Sequence, residues 1–192
     1  MIDKIMKIIA YVESNNNPHA IRFERKILAS LEGSKYRRKP AKIITKIQDI
    51  NKCSIDTARV IYSSSFGKYQ IMGFNIYGFL DYQFDIATFL CTEEHQDECV
   101  FKFLQGIQVK YDNVFNMLKS LSEIKKGHMA ENKSYGGFLK NLSEYLVSHR
   151  KAYSDIIDFI QKYNGARFPS TNFFSYLLRM IHFYEKLFTG GV

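Results

Sequence analysis

The apolar positions of this chain recur mostly at steps of three and four residues, which is the period of an amphipathic helix. The pattern predicts a first helix that ends near Glu13, further helices over residues 25–33, 41–50, 55–64, 86–91, 111–124 and 138–162, and two that begin at caps Thr92 and Ser170. Apolar and polar residues alternate over 20–24, which predicts one short strand. Residues 63–75 predict a turn that leads into a short helix. We therefore expect a mainly α fold of the α+β class, with at most a small β element near residues 20–24.

Composition adds size and charge to this picture. With 192 residues, 46% of them hydrophobic, the chain is long enough to bury one core, so we expect a single domain over residues 1–192. Its 27 lysines and arginines outnumber 19 acidic residues, which gives a net charge of +8. This excess favours an anionic partner, which could be a nucleic acid, a membrane surface or a cell-wall polymer.

The cysteines and the lengths of the apolar stretches argue against several classes of protein. The chain has three cysteines, Cys53, Cys91 and Cys99, and no two of them are spaced as C-x-x-C. We therefore expect reduced thiols rather than a disulfide framework. Cys91, His95 and Cys99 are spaced by four, but the predicted cap at Thr92 leaves too few of them on one helix face for zinc. We expect no metal and no cofactor. No apolar stretch is long enough for a signal peptide or a membrane span, which predicts synthesis in the cytoplasm.

The first candidate for chemistry is Glu13, which stands where an apolar stripe gives way to a polar loop. A carboxyl group that loses solvation at such a position can keep its proton and donate it to a glycosidic oxygen. The alternative is an ordinary solvated charge at a helix end. Gln70 and the pair Tyr163–Asn164 lie in two further polar turns, each of which turn chemistry alone would explain.

Taken together, four motifs follow one another in a recognisable order. They are V-E-S at 12–14, F-E-R at 23–25, S-F-G-K-Y-Q-I-M-G-F-N at 65–75 and Y-N-G at 163–165. This order resembles the N-acetylmuramidase family found in phage endolysins, which is related to goose-type lysozymes and lytic transglycosylases. The chain departs from the family pattern at Phe66 and Tyr69, where the family has Trp and Gly. Residues 107–155 are longer than in the family, which predicts a helical elaboration with a mobile loop at 126–137.

The resemblance implies a lysozyme-like domain, a helical core around a substrate groove. It also implies an enzyme that cleaves peptidoglycan between N-acetylmuramic acid and N-acetylglucosamine, with Glu13 as general acid. Substrate-binding positions carried over from the motifs are Ser65, Tyr69, Gln70, Tyr163 and Asn164. Glu24 is a candidate second carboxylate, and the alternative for it is a structural pairing with Arg22 or Arg25. Hydrolysis and lytic transglycosylation both remain open, because the second needs no further carboxylate.

The expected partners are glycan strands and the anionic wall surface, which the basic cluster at residues 35–39 would approach. We expect action in the periplasm or cell wall after release or delivery, no nucleic acid, and no membrane span. An immunity or secretion partner remains open. The alternative function is an inactive wall-binding or assembly module on the same fold, and a less favoured one is a basic nucleic-acid-binding helical protein.

Overall fold

A computed structural model describes residues 1–33, 38–130 and 135–190 of the chain. The helices are α1 (Ile2–Ser14), α2 (Arg25–Gly33), α3 (Arg38–Asn51), α4 (Ile55–Tyr62), α5 (Ile86–Cys91), α6 (Glu93–Ile107), α7 (Tyr111–Ala130), α8 (Tyr135–Ser148), α9 (Ser154–Asn164) and α10 (Thr171–Phe188). The strands are β1 (Ile21–Phe23), β2 (Ser64–Phe66) and β3 (Ile71–Met72), and a π-helical turn, Asn75–Phe79, follows β3. The fold is therefore mainly α with a small sheet, as the apolar pattern predicts.

Backbone contacts divide the chain into two compact units. We call Met1–Val12 with Ile107–Val192 the terminal unit, and Glu13–Gly106 the central unit. The boundary falls inside α1, so that Val12 is the last residue of one unit and Glu13 the first of the other.

The terminal unit is an assembly of helices around an apolar core. Helix α7 packs on α8, α9 and α10, and α9 also packs on α10. The side chains that become fully buried at helical spacing include Ile5, Ile8 and Ile9 of α1, Leu118 and Leu121 of α7, and Leu177, Met180 and Ile181 of α10. Each such burial contributes roughly 1.5–3 kcal/mol relative to exposure, so this core is the main source of the unit's stability.

The central unit combines short helices with an antiparallel sheet in the order β1-β2-β3. Ile21 pairs with Phe66, and Ser65 pairs with Met72. Helix α4 packs on α2 and α3 and leads directly into β2. Ser54 caps α4, because its side chain accepts a hydrogen bond from the Thr57 amide at 3.1 Å. Such capping satisfies an amide that the first turn of a helix leaves unpaired.

Two segments differ from the sequence prediction. Strands β2 and β3 replace part of the predicted turn at 63–75, because strands of three and two residues are too short for alternation to reveal. The single helix predicted over 138–162 is two helices, α8 and α9, joined by a turn at 149–153. Leu146 and Tyr153 are buried on either side of this turn and lie seven residues apart. That spacing continues the helical period, so the pattern conceals the break.

Residues 107–155 are mainly helical and form chiefly α7 and α8. That they are an elaboration of the family's core stays a prediction. The loop predicted at 126–137 is wrong for residues 126–130, which continue α7, and for residues 135–137, which begin α8. Residues 131–134 lie outside the described part of the chain, and so do 34–37, which hold most of the basic cluster at 35–39. In the parts that the structure does describe, no helix is both long and apolar enough to cross a membrane.

Candidate functional site

Glu13 lies in the last turn of α1 and is half-buried. The next residue, Ser14, donates its hydroxyl to the Lys68 carbonyl at 2.8 Å and accepts a hydrogen bond from the Asn17 amide at 2.9 Å. Asn15 and Asn16 then take left-handed backbone angles, with φ of 55° and 62°. Asparagine tolerates this region better than most residues. The helix therefore ends directly after Glu13 and Ser14, and the chain turns sharply into a loop over residues 15–20.

The turn between β2 and β3 packs against this loop. Its first residue, Gly67, has a φ of 74° and donates its amide to the Ala20 carbonyl at 2.8 Å. Gln70 ends the turn with a φ of 50° and donates its own amide to the Gly67 carbonyl at 3.1 Å. The end of the 15–20 loop is thus bound to the start of the turn.

The side chain of Gln70 reinforces the same connection. Its Nε2 group donates to the carbonyls of Ala20 at 3.1 Å and Gly67 at 3.0 Å. Its Oε1 accepts a hydrogen bond from the Ser65 hydroxyl at 2.8 Å. The structure therefore brings together Ser65 and Gln70, two of the residues predicted to bind substrate. It also shows that the Gln70 amide holds the loop and the turn in one arrangement.

Tyr69 and Lys68 join the turn to α6. Tyr69 is only 5% exposed, and its hydroxyl donates to Asp97 at 2.6 Å. The ammonium group of Lys68 lies 2.9 Å from Glu93 and 3.0 Å from Asp97. Burial alone would lower the pKa of Lys68, but the hydrogen bonds and negative charges of the two carboxylates outweigh burial, so the pKa is raised. Lys68 therefore remains charged in a nearly closed environment. Sequence reasoning did not find this pairing.

Gln96 is a second residue that sequence reasoning missed. Its side chain is fully buried, and Oε1 accepts a hydrogen bond from the Lys68 amide at 2.8 Å. Its Nε2 group donates to the carbonyls of Pro18 and Phe89, both at 3.0 Å. The sequence does contain an indication of this role. Gln96 precedes the buried Val100 by four residues and so lies on the apolar face of α6. Since buried polar groups are almost always hydrogen-bonded, a glutamine there indicates specific partners.

Glu24 lies at the end of β1 in the central unit. Its Oε1 accepts a hydrogen bond from the Arg22 Nε at 2.7 Å; the Arg22 side chain is exposed and that of Glu24 is half-buried. Its amide donates to the Ser63 carbonyl at 3.0 Å, which fixes the backbone at this point. The structure thus shows the structural pairing with Arg22 that the sequence left open. A role as second carboxylate stays a prediction.

Tyr163 and Asn164 end α9 and belong to the terminal unit. The Tyr163 ring stacks on Phe159, with centroids 5.7 Å apart. Asn164 is exposed and lines a shallow pocket of about 280 Å³ together with Arg179. The Arg179 guanidinium donates to the Val12 carbonyl at 3.0 Å, within the same unit. That Tyr163 and Asn164 share a groove with Glu13 stays a prediction.

A comparison with known proteins bears on these motifs. The endolysin of Enterobacteria phage PRD1 is 33% identical to this chain. The alignment is 139 residues long and covers 61% of the chain and 88% of that endolysin. The chain belongs to the phage endolysin family. No family model matches the chain, and no solved structure matches it.

This endolysin family member also contains a cavity of about 840 Å³ in its central unit. The cavity is lined chiefly by Ile43 of α3, Tyr62 of α4, and Phe74 and Phe79 near the π-helical turn. Burial raises the pKa of the Tyr62 phenol. Phe74 belongs to the 65–75 motif, so this motif contributes both to the turn beside Ser14 and to an aromatic-lined cavity.

The predicted absence of a metal rests on the cysteines and histidines near α6. Cys91 is exposed and Cys99 is buried, and the His95 Nδ1 lies 2.8 Å from the Tyr82 hydroxyl. Over residues 1–33, 38–130 and 135–190, no group of three His, Cys, Asp or Glu side chains is arranged to hold a metal ion.

Proposed function

We propose that this protein cleaves the glycan strands of peptidoglycan between N-acetylmuramic acid and N-acetylglucosamine, with Glu13 as general acid. The similarity to a protein named endolysin supports the substrate class, because the match extends over most of that protein. The structural observation that supports the residue is the anchoring of Ser14 on Lys68, which fixes the backbone immediately after Glu13.

General acid catalysis at a glycosidic bond requires a carboxyl group within hydrogen-bond reach of the bridging oxygen. Placement matters, because a displacement of about 1 Å can cost on the order of 100-fold in rate. The last turn of α1 and the network of loop and turn around Ser14, Gly67 and Gln70 give the backbone at Glu13 a defined position. In our proposal this network serves placement of the acid, while Tyr163 and Asn164 contact the sugar.

The second step of the reaction has two forms. In an inverting hydrolysis Glu24 would activate a water molecule as general base, and its ion pair with Arg22 holds the carboxylate in place. In a lytic transglycosylase the substrate's own 6-hydroxyl attacks, and Glu24 has only its structural role. Mass spectrometry of muropeptides released from purified sacculi separates these forms, because hydrolysis leaves reducing ends and transglycosylation leaves anhydro ends.

The net charge of +8 supports action at an anionic wall. At physiological salt, the attraction between a basic protein and an anionic polymer is largely screened beyond about 8 Å, the Debye length. We therefore propose that binding to sacculi weakens as ionic strength rises, and that the protein acts in the periplasm or cell wall. Tight binding to DNA or RNA that persists in high salt would contradict this.

The decisive test is the variant Glu13→Gln, which removes the proton but keeps the size of the side chain. We expect its rate of glycan release from purified sacculi to fall at least about 100-fold, the lower range for loss of a general acid. Its circular dichroism spectrum and melting temperature should match those of the wild type. The control is Glu144→Gln, which changes an exposed carboxylate of α8 and should leave the rate unchanged. Lysis at the wild-type rate by Glu13→Gln would refute the assignment.

A further inference from the structure

We propose that Gln96, a residue of α6, is a positioning residue for Glu13. The proposal rests on the proposed role of Glu13 as general acid. Gln96 acts through the 15–20 loop and the β2–β3 turn, the two segments that fix the end of α1. Its side chain is fully buried, so its role is not contact with solvent or with a glycan strand.

The Gln96 amide connects three segments of the central unit. Nε2 donates to Pro18 in the loop and to Phe89 at the end of α5, and Oε1 accepts from Lys68 in the turn. Both kinds of polar atom on the side chain are therefore used, and each bond reaches a different piece of chain. A side chain held in this way has one preferred conformation, and so do the backbone groups that it bonds.

Two routes lead from Gln96 to Glu13. The first runs through Pro18, which is five residues after Glu13 along the loop. The second runs through Lys68, whose amide bonds to Gln96 and whose carbonyl accepts the Ser14 hydroxyl. The loop is also tied at its far end, where the Ala20 carbonyl accepts from Gly67. A shift at Gln96 would therefore move the loop at several points and change the direction in which α1 ends.

Loss of the Gln96 amide should disturb this region more than the fold as a whole. Without it, three carbonyls and one amide in buried or partly buried locations would have to find other partners. Leaving such groups unpaired is costly, and a small displacement that admits water relieves the cost. Helix α6 keeps Cys99, Val100 and Leu104 buried, so it should remain in place while the loop and the turn move.

The test uses Gln96→Met, which keeps an unbranched side chain of similar size but removes the amide. With a soluble glycan oligomer as substrate, we expect kcat to fall at least about 10-fold and KM to change less than about twofold. The matched control is Gln105→Met, the same substitution at an exposed position of the same helix, which should leave both values unchanged. The fraction of folded protein is measured for each variant by circular dichroism at the assay temperature.

A second readout does not depend on activity. The carboxyl carbon resonance of Glu13 is assigned by its loss in Glu13→Gln, and its chemical shift is followed as a function of pH. We expect the midpoint of this titration to differ between the wild type and Gln96→Met and to be unchanged in Gln105→Met. A shifted midpoint together with full activity of Glu13→Gln would support the positioning of Glu13 and overturn its role as the acid.

Two outcomes would overturn the positioning role. In the first, Gln96→Met lowers activity only in proportion to its folded fraction and leaves the Glu13 titration unchanged. If Gln96→Met does not fold, Ser14→Ala is tested in its place. This change removes the bond to Lys68 without opening the interior. We expect Ser14→Ala to lower kcat and displace the Glu13 titration in the same direction, and unchanged values would overturn the proposal.

Discussion

The two units of this protein hold their segments together in different ways. The terminal unit buries apolar side chains from α1, α7, α9 and α10, and Ser122 is its one buried polar residue among those described. The central unit buries five polar residues in the described part of the chain: Ser63, Ser64, Ser65, Lys68 and Gln96. Three of these five, Ser65, Lys68 and Gln96, belong to the network that joins the 15–20 loop to the β2–β3 turn.

This difference means that the terminal unit mainly determines the stability of the fold, whereas the central network determines the arrangement of the groups around the proposed acid. Apolar packing is not directional, so it stabilises a fold without fixing each atom. Buried hydrogen bonds contribute a modest net free energy, but they specify one arrangement of the groups that they join. We therefore expect changes in the terminal core to reduce the free energy of unfolding with little effect on the chemistry. Changes in the central network should affect placement of the proposed acid first.

The largest expected effect on stability comes from the terminal core. Leu177→Ala removes a fully buried side chain of α10 and should lower the free energy of unfolding by about 2–5 kcal/mol, measured by urea denaturation. Activity per folded molecule should stay within about twofold of the wild type at a temperature where the variant is folded.

The control for Leu177→Ala is Val147→Ala, which truncates an apolar side chain that is 52% exposed on α8. Its free energy of unfolding should change by less than about 0.5 kcal/mol. A fully folded Leu177→Ala variant with much reduced activity would contradict the separation of stability from geometry.

Much of the helical framework could be predicted because its determinants are local. The apolar period places α1 and α10, and a single serine at Ser54 or Ser170 marks where a helix begins. The sheet could not be predicted in the same way, because the partners of β1 lie more than 40 residues further along the chain. Such pairings leave no trace within a window of ten residues.

The candidate site shows the same limit. The sequence identifies Gln70 as a polar residue in a turn, but its partner Ala20 is 50 residues away, so the inward direction of the amide is not visible. The ion pairs of Lys68 join residues separated by more than 20 positions. Only Gln96 had a local signal, since a glutamine on the apolar face of α6 requires partners.

The second prediction compares two glycines that share a left-handed backbone, Gly67 in the central unit and Gly165 in the terminal unit, with φ of 74° and 77°. Alanine at either position has an unfavourable backbone conformation, which costs roughly 1–2 kcal/mol. A β-carbon at Gly67 would lie 2.4 Å from the Gln96 Oε1, whereas at Gly165 nothing lies within 4 Å. Gln96 cannot move aside without breaking its hydrogen bonds.

Gly67→Ala should therefore lower the free energy of unfolding by about 1–3 kcal/mol more than Gly165→Ala does, measured by urea denaturation of both variants. It should also lower kcat, because the turn that it displaces is the one bonded to Ser14. Equal costs for the two substitutions would mean that the contact with Gln96 is not tight, and the contrast between the units would lose its main support.

The smallest expected effect is a difference in the response of the two units to alkaline pH. Burial raises the pKa of the Cys99 thiol in the central unit from an ordinary value of 9.0 to about 11. The folded state then keeps a proton that the unfolded state loses, so this group's contribution to stability is complete below pH 9 and declines as the pH rises towards 11. At pH 10, one unit above the ordinary value, the decline amounts to about 1.4 kcal/mol.

Cys99→Ala removes this contribution, so its free energy of unfolding should fall by about 1.4 kcal/mol less than that of the wild type between pH 8 and pH 10. The control is Tyr111→Phe in the terminal unit. Burial raises the pKa of Tyr111 from 10.0 to about 12, so most of its contribution is lost only above pH 10. Tyr111→Phe should therefore follow the wild type closely over this interval. Urea denaturation under reducing conditions at both pH values measures the difference. If Cys99→Ala loses as much stability as the wild type, the buried thiol does not titrate as proposed. The alkaline sensitivity of the central unit would then have to come from its other buried groups, with the phenol of Tyr77, whose pKa burial raises to about 12, the first to test.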